Sequence, residues 1–464
     1  MKATKRELRY ARSNFGEVFH TTLNPEGPGA VRIHLVPPVV SGDEIAPSLA
    51  IINGQDIIPV GVSWSILLCE FIKEVNKYSG HPVSDKEAAL IRKAACRAVR
   101  KVYPLLGRRK TDRDIYTIMD TFTKIARGEE PDEQIGYISI GDYAPFMRAP
   151  HRMDLMVSAM EKNGVWNCNQ HCVHCYAAGQ VHSSEAELTT EEWKRIIDIL
   201  RDAGVTQVTF TGGEPTMRPD LFELIAYARW FITRLNTNGV LLDEVYVAKL
   251  KEASLDSLQI TFYSADEAVH NTLVGAPQYA RTVAAIENAL AAGMSLSVNT
   301  PLCTLNRDYL KTLEFLHDKG VIYVTCSGLI TTGNARTGES ERLQLSEDEI
   351  KEILAGAAGY CFSNGMEINF TSPGWVPAGF CEEIGIAAPT CGACLSNMAV
   401  TPGGNAVPCQ SWLDGEPLGN LLETGWDRIW NGEACAARRD YSAKMEGECP
   451  LRVKKNAGSE VRAE

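Results

Sequence analysis

Apolar residues recur along the middle of the chain in two alternating rhythms. In TTEEWKRIIDILRDAG, Trp193, Ile196, Ile197 and Leu200 fall on one face of a helix that Thr189 and Glu192 open as a capping box and Gly204 ends. QVTF follows as a short apolar strand. The alternation continues through LFELIAYARW and ITRLNTNG, LDEVYVAKLKEAS and SLQITFYS, QYARTVAAIENALAAG and SLSVNT, and RDYLKTLEFLHDKG and IYVTCSG. With GVWN as the first strand, six strands separated by helices predict parallel pairing through crossovers. The fold class expected is α/β, a partial (β/α)6 TIM-like barrel over residues 164–345, with its chemistry at the C-terminal ends of the strands.

The flanks follow other rhythms. Before the barrel, AVRIHLV, SLAII and DIIPV read as strands, with Asn53-Gly54 as a hairpin turn. SWSILLCEFIKEV, a long helix opened by Ser84 and Glu87, and TDRDIYTIMDTFTKIA then read as three helices. These make a small α+β unit over residues 1–127, and residues 128–163, beginning RGEEPDEQ, read as a linker. After the barrel, residues 346–450 hold LSNMAV and NAVP, a hairpin about Pro402-Gly403-Gly404 that sets Cys394 opposite Cys409, with Cys391 three residues upstream. The tail over 451–464, LRVKKNAGSEVRAE, reads as disordered.

Composition narrows the function. The 464 residues are 45% hydrophobic and 22% charged, enough to bury several cores. A net charge of -12 gives no attraction to nucleic acid or anionic lipid, no apolar run is long enough to span a membrane, and the N-terminus lacks an export signal. The expected location is cytoplasmic, with neither nucleic acid nor membrane as partner. In that compartment the 14 cysteines are buried hydrophobes, reactive thiols or metal ligands rather than disulfides.

Cys168, Cys172 and Cys175 form C-x3-C-x2-C directly after the first expected strand. Three thiolates on one loop can hold three irons of a [4Fe-4S] cluster and leave the fourth open; a zinc knuckle or unligated thiols also suit that spacing. The next strand ends in Gly212, Gly213, Glu214 and Pro215, at the same barrel mouth. Paired glycines allow close backbone approach, so that their carbonyls could accept hydrogen bonds from a ligand's ammonium.

These residues resemble the radical S-adenosylmethionine (SAM) superfamily over roughly 160–340. The resemblance implies that Cys168, Cys172 and Cys175 hold the cluster, that Gly212 to Pro215 meet the methionine end of SAM, and that reductive SAM cleavage gives a 5′-deoxyadenosyl radical. It also implies an external electron donor of flavodoxin or ferredoxin type. His174 departs from the family, which usually carries an aromatic hydrophobe there. Asn238, Ser264 and Asn299 end the third, fourth and fifth strands, where each either contacts SAM or caps a turn. Cys326 and Cys303 lie at or beyond strand ends, placed to return a hydrogen atom to a substrate radical or to pack as small hydrophobes.

Cys394-x9-Gly404-x4-Cys409 resembles the start of the SPASM and twitch extensions of radical SAM enzymes, which implies a second, auxiliary iron-sulfur cluster; a zinc ribbon is the alternative. The ligands expected are Cys391, Cys394, Cys409 and Cys449, with Cys381 or Cys435 as alternatives in the fourth place. The N-terminal unit looks like a PqqD-type (winged-helix type) peptide-recognition domain in element order, which implies a precursor peptide whose leader adds to an edge strand. The function expected is hydrogen abstraction from that peptide, giving a thioether or carbon-carbon crosslink or an epimerised residue. A small-molecule or cofactor-precursor substrate is the alternative, because Cys391-x2-Cys394-x14-Cys409 also resembles molybdopterin-precursor synthases; those end in a glycine pair, whereas this chain ends VRAE. A zinc-stabilised binding protein is the non-enzymatic reading, and metal analysis separates it.

Overall fold

The computed structural model describes residues 3–23, 31–54, 56–78, 83–132, 140–336, 342–444 and 449–452. They divide into two compact units, Met1–Arg148 and Ala149–Glu464. Most of the tail expected to be disordered lies outside the described residues. Among those residues, no helix is long and apolar enough to cross a membrane.

The first unit opens with α1 (Lys5–Asn14). A four-stranded antiparallel sheet follows in the order β1 (Phe19–Leu23), β2 (Val31–Val36), β3 (Ser48–Ile52), β4 (Asp56–Val60). Helices α2 (Val62–Val75), α3 (Asp85–Val102) and α4 (Arg108–Ala126) complete it. All five residues of β3 are buried, and Ile33, Leu35, Ile52, Ile66 and Phe122 share one core. Asn53 and Gly54 take φ of 48° and 71°, the left-handed pair that a tight hairpin needs. The Ser84–Glu87 box closes in both directions, with Ser84 N donating to Glu87 Oε2 at 2.8 Å and Glu87 N to Ser84 Oγ at 3.4 Å.

Ahead of the expected elements the unit adds helix α1 and strand β1, and Val40–Ser41 and Glu44–Ile45 form a further small antiparallel pair that the sequence did not suggest. α1 has a single buried residue, Ala11, so periodicity gave it no weight; its Thr4–Glu7 capping box was the readable sign. It docks through the Tyr10 hydroxyl, which donates to Glu70 of α2. β1 is a terminal strand of the sheet and runs beside α2, where Asn76 Nδ2 donates to His20 O at 2.8 Å and Lys73 Nζ sits over the Phe19 ring.

The second unit is built on one sheet. Its parallel strands are β5 (Arg152–Ser158), β6 (Gln207–Gly212), β7 (Ile232–Thr237), β8 (Ser257–Thr261), β9 (Ser295–Pro301), β10 (Tyr323–Ser327) and β11 (Glu367–Phe370). Helices α5 (Thr190–Ala203), α6 (Leu221–Tyr227), α7 (Glu244–Glu252), α8 (Glu267–Val274), α9 (Tyr279–Ala291), α10 (Tyr309–Asp318) and α11 (Glu347–Ser363) fall between successive strands. The six expected repeats are present, but GVWN is not their first strand. Val165–Trp166 pairs with Glu161–Lys162 in a minimal hairpin whose turn uses Asn163 and Gly164 at positive φ. The first barrel strand is RMDLMVS, inside the segment read as a linker.

The C-terminal hairpin forms as expected, β12 (Asn397–Val400) against β13 (Asn405–Val407), with β14 (Gly419–Asn420) beyond. It is not a separate sheet. β12 pairs in parallel with β5, so the whole order is β11-β10-β9-β8-β7-β6-β5-β12-β13-β14. Glu185 fixes the hairpin turn, accepting from Gly403 N at 3.0 Å and Asn405 Nδ2 at 2.9 Å.

Candidate active site

Alternate residues of β5 to β10 face one cavity of about 500 Å³, and the strands present polar side chains to it: Asp154, Thr211, Asn236, Gln259, Asn299 and Thr325 all line it. Cys168, Cys172 and Cys175 line the same cavity. Their loop is held from three sides. His171 N and Val173 N donate to Val274 O and Leu273 O at the end of α8, at 2.9 and 3.0 Å. Asn334 donates its backbone N to Cys175 O at 2.9 Å and its Nδ2 to Cys172 O at 3.2 Å. Asn238 Nδ2 donates to Asn169 Oδ1 at 2.6 Å. A Cβ at Gly275 or Gly333 would stand 2.4 Å from His171 O or 2.5 Å from Cys175 O, so only glycine lets these supports approach. The supports from Leu273, Val274 and Asn334 were missed in the sequence, because they come from segments far from the cysteines along the chain.

The glycine pair has a different first duty from the one expected. At Gly212, with φ 136°, a Cβ would lie 2.3 Å from Ser158 O, and at Gly213 one would lie 2.8 Å from Ala159 O. The pair lets the end of β6 press against the end of β5, and this approach leaves Gly213 O 3.5 Å from Cys168 Sγ. Glu214 lines the cavity, yet its buried carboxylate is spent on the scaffold. It accepts from Thr216 N, Thr216 Oγ1, Thr237 Oγ1 and Asn238 N at 3.0, 2.6, 2.6 and 2.9 Å, tying the end of β7 to the GGEP turn. Burial raises its pKa, and these four donors oppose the rise. Pro215 opens the short turn that follows and lines the cavity too.

Burial also pushes the Cys168 thiol up to about 12 and raises Cys172 and Cys175. Thiols so desolvated ionise when a cation coordinates them, which inverts the local balance. Among the described residues, no three His, Cys, Asp or Glu side chains close around a single ion; the three thiols instead share one cavity wall beside a glycine-lined turn. This donor set fits a cluster with an open iron. His174, where the family usually has an aromatic, keeps a ring contact with Tyr263 at 5.1 Å, and burial lowers its pKa to about 4.

The remaining expected residues divide. Asn238 and Asn299 line the cavity, Asn299 Oδ1 accepting from Thr325 Oγ1 at 2.8 Å. Ser264 does not: its Oγ accepts from Asp266 N at 3.0 Å, which makes it a turn cap. Cys326 and Cys303 are corrected as well. Thr325 and Ser327 face the cavity, so strand parity sends Cys326 outward toward Cys361 of α11. Cys303 is fully buried among Tyr263, Leu273 and Leu329. Neither thiol lines the cavity, and Cys326→Ala and Cys303→Ala are expected to leave product formation per deoxyadenosine unchanged, measured by mass spectrometry under anaerobic turnover.

The second cysteine group reaches the same cavity, through Cys391, Cys409 and Cys449. Ser442 Oγ lies 3.8 Å from Cys391 Sγ and donates to Ala393 O at 2.8 Å, and burial pushes Cys409 up to about 12. Cys394 is at the open end of the hairpin, as its backbone N to Pro408 O contact at 3.2 Å shows, but its side chain is not on the cavity wall. It occupies a positive φ of 56° and turns its buried thiol onto Cys435, whose sulfur also receives Arg439 Nη1 at 3.8 Å. Cys435 and Cys381 likewise do not line the cavity.

The barrel carries three thiols on one loop at its mouth, and Cys391 and Cys409, which flank the inserted hairpin, meet Cys449 at the same cavity, an arrangement that suits an iron-sulfur enzyme. The Radical SAM superfamily model matches residues 167–316, and the SPASM model, an iron-sulfur cluster-binding domain, matches residues 391–451. The chain thus carries a Radical SAM domain and a SPASM domain, and these mark it as an enzyme with a SAM-binding [4Fe-4S] cluster and an auxiliary cluster. Among curated relatives it is 28% identical over 282 residues to the PqqA peptide cyclase of Granulibacter bethesdensis, covering 57% of this chain and 71% of that one. It is 29% identical over 313 residues to the AdoMet-dependent heme synthase of Methanosarcina barkeri, covering 61% and 85%. Its fold is similar to Streptococcus suis SuiB bound to precursor peptide SuiA, at a TM-score of 0.59 and 13% identity over 87% of this chain and 92% of that one.

Proposed function

We propose that this enzyme is a maturase that crosslinks a ribosomally made precursor peptide. The observation that carries the reading is the single cavity onto which both cysteine groups open. In it, Cys168, Cys172 and Cys175 hold the SAM-binding cluster, and Cys391, Cys409 and Cys449 hold the auxiliary one. When bound, the cluster and SAM supply a 5′-deoxyadenosyl radical after one electron arrives from a flavodoxin- or ferredoxin-type donor. The chain's own part is placement. Gly213 O and the loop supports fix the thiols, Asn238 and Asn299 offer polar contacts to SAM, and the barrel wall shields the reacting carbon from water. Among thioether or carbon-carbon crosslinking and epimerisation, crosslinking is favoured, because the thiols that could return a hydrogen atom lie outside the cavity. Anaerobic incubation with SAM, reductant and a short peptide encoded beside this gene tests it: a crosslink removes two hydrogen atoms, and an unchanged mass, with or without a change of stereochemistry, rejects it.

The first unit supports a peptide substrate. Its terminal strand β1 beside α2 offers main-chain groups for a leader and an adjoining helix for apolar leader side chains, the PqqD-like mode. The likeness to SuiB also covers more of the chain than residues 149–464 could supply. Tethering a leader raises the effective concentration of the reacting segment to about millimolar. Deleting residues 1–148 is therefore expected to raise KM for the peptide by roughly tenfold or more while uncoupled SAM cleavage persists. An unchanged KM would return the unit to a scaffold. A second reading, a small-molecule or cofactor precursor such as a tetrapyrrole, is favoured by the heme synthase relative, 85% of whose length the chain covers.

A further inference from the structure

Arg152 and Arg234 stand inside the barrel, where strand alternation that places Asn236 and Asp154 on the cavity wall places them as well. They are not equivalent. Arg152 Nε makes no hydrogen bond but stands 3.0 Å from Asp154 Oδ1, which pairs its charge. Arg234 has a buried Nε without a hydrogen-bond partner and makes no ion pair with any described residue. Asp154 keeps its second oxygen, Oδ2, unpartnered as well. Two guanidinium groups thus face one cavity with a single carboxylate paired between them. Burial and the neighbouring Arg152 lower the pKa of Arg234, while Asp154 and Asp256 act the other way from beyond contact distance. A guanidinium stays charged under such pressure, and a desolvated charge without a partner is costly until an anion completes it.

Its position separates it from the SAM end. Arg234 lies four residues before Asn238 on β7, about 13 Å toward the N-terminal end at strand rise. Asn238 supports the loop of Cys168, Cys172 and Cys175, so the carboxylate of a SAM held there is out of reach of Arg234. Register sets Arg234 level with Thr209, Thr209 level with Asp154, and Asp154 beside Ala399 of the hairpin strand. The free guanidinium is therefore at the end of the cavity that the hairpin adjoins.

Resting on the catalytic cavity above, we propose that Arg234, flanked by Arg152, binds a carboxylate of the substrate. A planar guanidinium and a carboxylate meet through two parallel hydrogen bonds, which fix orientation as well as position. In a peptide the carboxylate is an Asp or Glu side chain within about four extended residues of the modified carbon. In a tetrapyrrole it is a propionate. Either anchor holds the substrate at one end and presents its reacting carbon to the other.

The test uses full-length, cluster-loaded protein without reductant, so that binding alone is read. The probes are a random acetylated and amidated heptapeptide library, and coproporphyrin III with its tetramethyl ester. Wild type is expected to enrich Asp or Glu over Asn or Gln by about tenfold or more at one position. Arg234→Gln should abolish that preference and Arg234→Lys keep part of it. Binding of coproporphyrin III but not its ester, lost in Arg234→Gln, with no peptide enriched, would uphold the carboxylate site and overturn the peptide reading. Enriched peptides without acidic preference would uphold the peptide reading and overturn the carboxylate site. The proposal is also overturned if Arg234→Gln leaves acid preference intact while shifting the auxiliary cluster's electron paramagnetic resonance signal, since the arginine would then be a counter-charge for the cluster. Because Arg234 has no partner to lose, Arg234→Gln should melt no lower than wild type.

Discussion

Replacing Cys168, Cys172 and Cys175 together with Ala is expected to abolish deoxyadenosine formation and to remove roughly half of the bound iron, as one of two clusters is lost. The three thiols come from one loop whose shape does not depend on a metal: α8 carbonyls, Asn334 and Asn238 hold it by backbone and amide hydrogen bonds. The triple variant should therefore fold, and its loss should be one of ligation and not of the barrel. Iron and sulfide analysis with anaerobic chromatography of SAM products measures both quantities. Retained deoxyadenosine would sink the assignment of these cysteines.

The second large effect separates the C-terminal cysteines from one another. Cys409→Ala or Cys391→Ala should lose the auxiliary cluster's absorption and reduce product severely, by something on the order of a hundredfold as for a ligand-level lesion, while SAM cleavage continues at the barrel mouth. Cys394→Ala should keep the cluster and most of the product, because Cys394 turns its thiol onto Cys435 and away from the cavity. The contrast matters because motif spacing alone ranks Cys394 with Cys409. Equal loss in Cys394→Ala and Cys409→Ala would mean that the hairpin rearranges around its cluster. Zinc in place of iron in the wild-type protein would remove the auxiliary site altogether.

The local rhythm of the chain determined a great deal. Apolar spacing named the helices α5, α6, α7, α9 and α10 and the strands from β6 to β10, though not the short α8, and capping boxes at Thr189 and Ser84 marked helix starts that the structure reproduces. C-x3-C-x2-C and GGEP were legible as neighbours, because consecutive strands of a parallel sheet end at the same mouth. The hairpin about Pro402-Gly403-Gly404 was readable from its turn chemistry. Each of these rests on interactions within a few residues, which a sequence displays directly.

Tertiary structure decided the rest. RMDLMVS became the first barrel strand because β6 and β12 pair with its two edges, and both partners are far away in sequence. Which face of IYVTCSG looks inward was settled by the cavity, to which the strands present polar side chains: Thr325 and Ser327 point in, and Cys326 packs under α11. The same rule, polar positions inward, would have singled out Arg152 and Arg234 had it been applied to β5 and β7. Among the C-terminal cysteines, the positive φ of Cys394 and the return of residues 449–452 to the cavity selected Cys391, Cys409 and Cys449. Spacing cannot encode that choice, since it depends on which distant strand edge receives the hairpin.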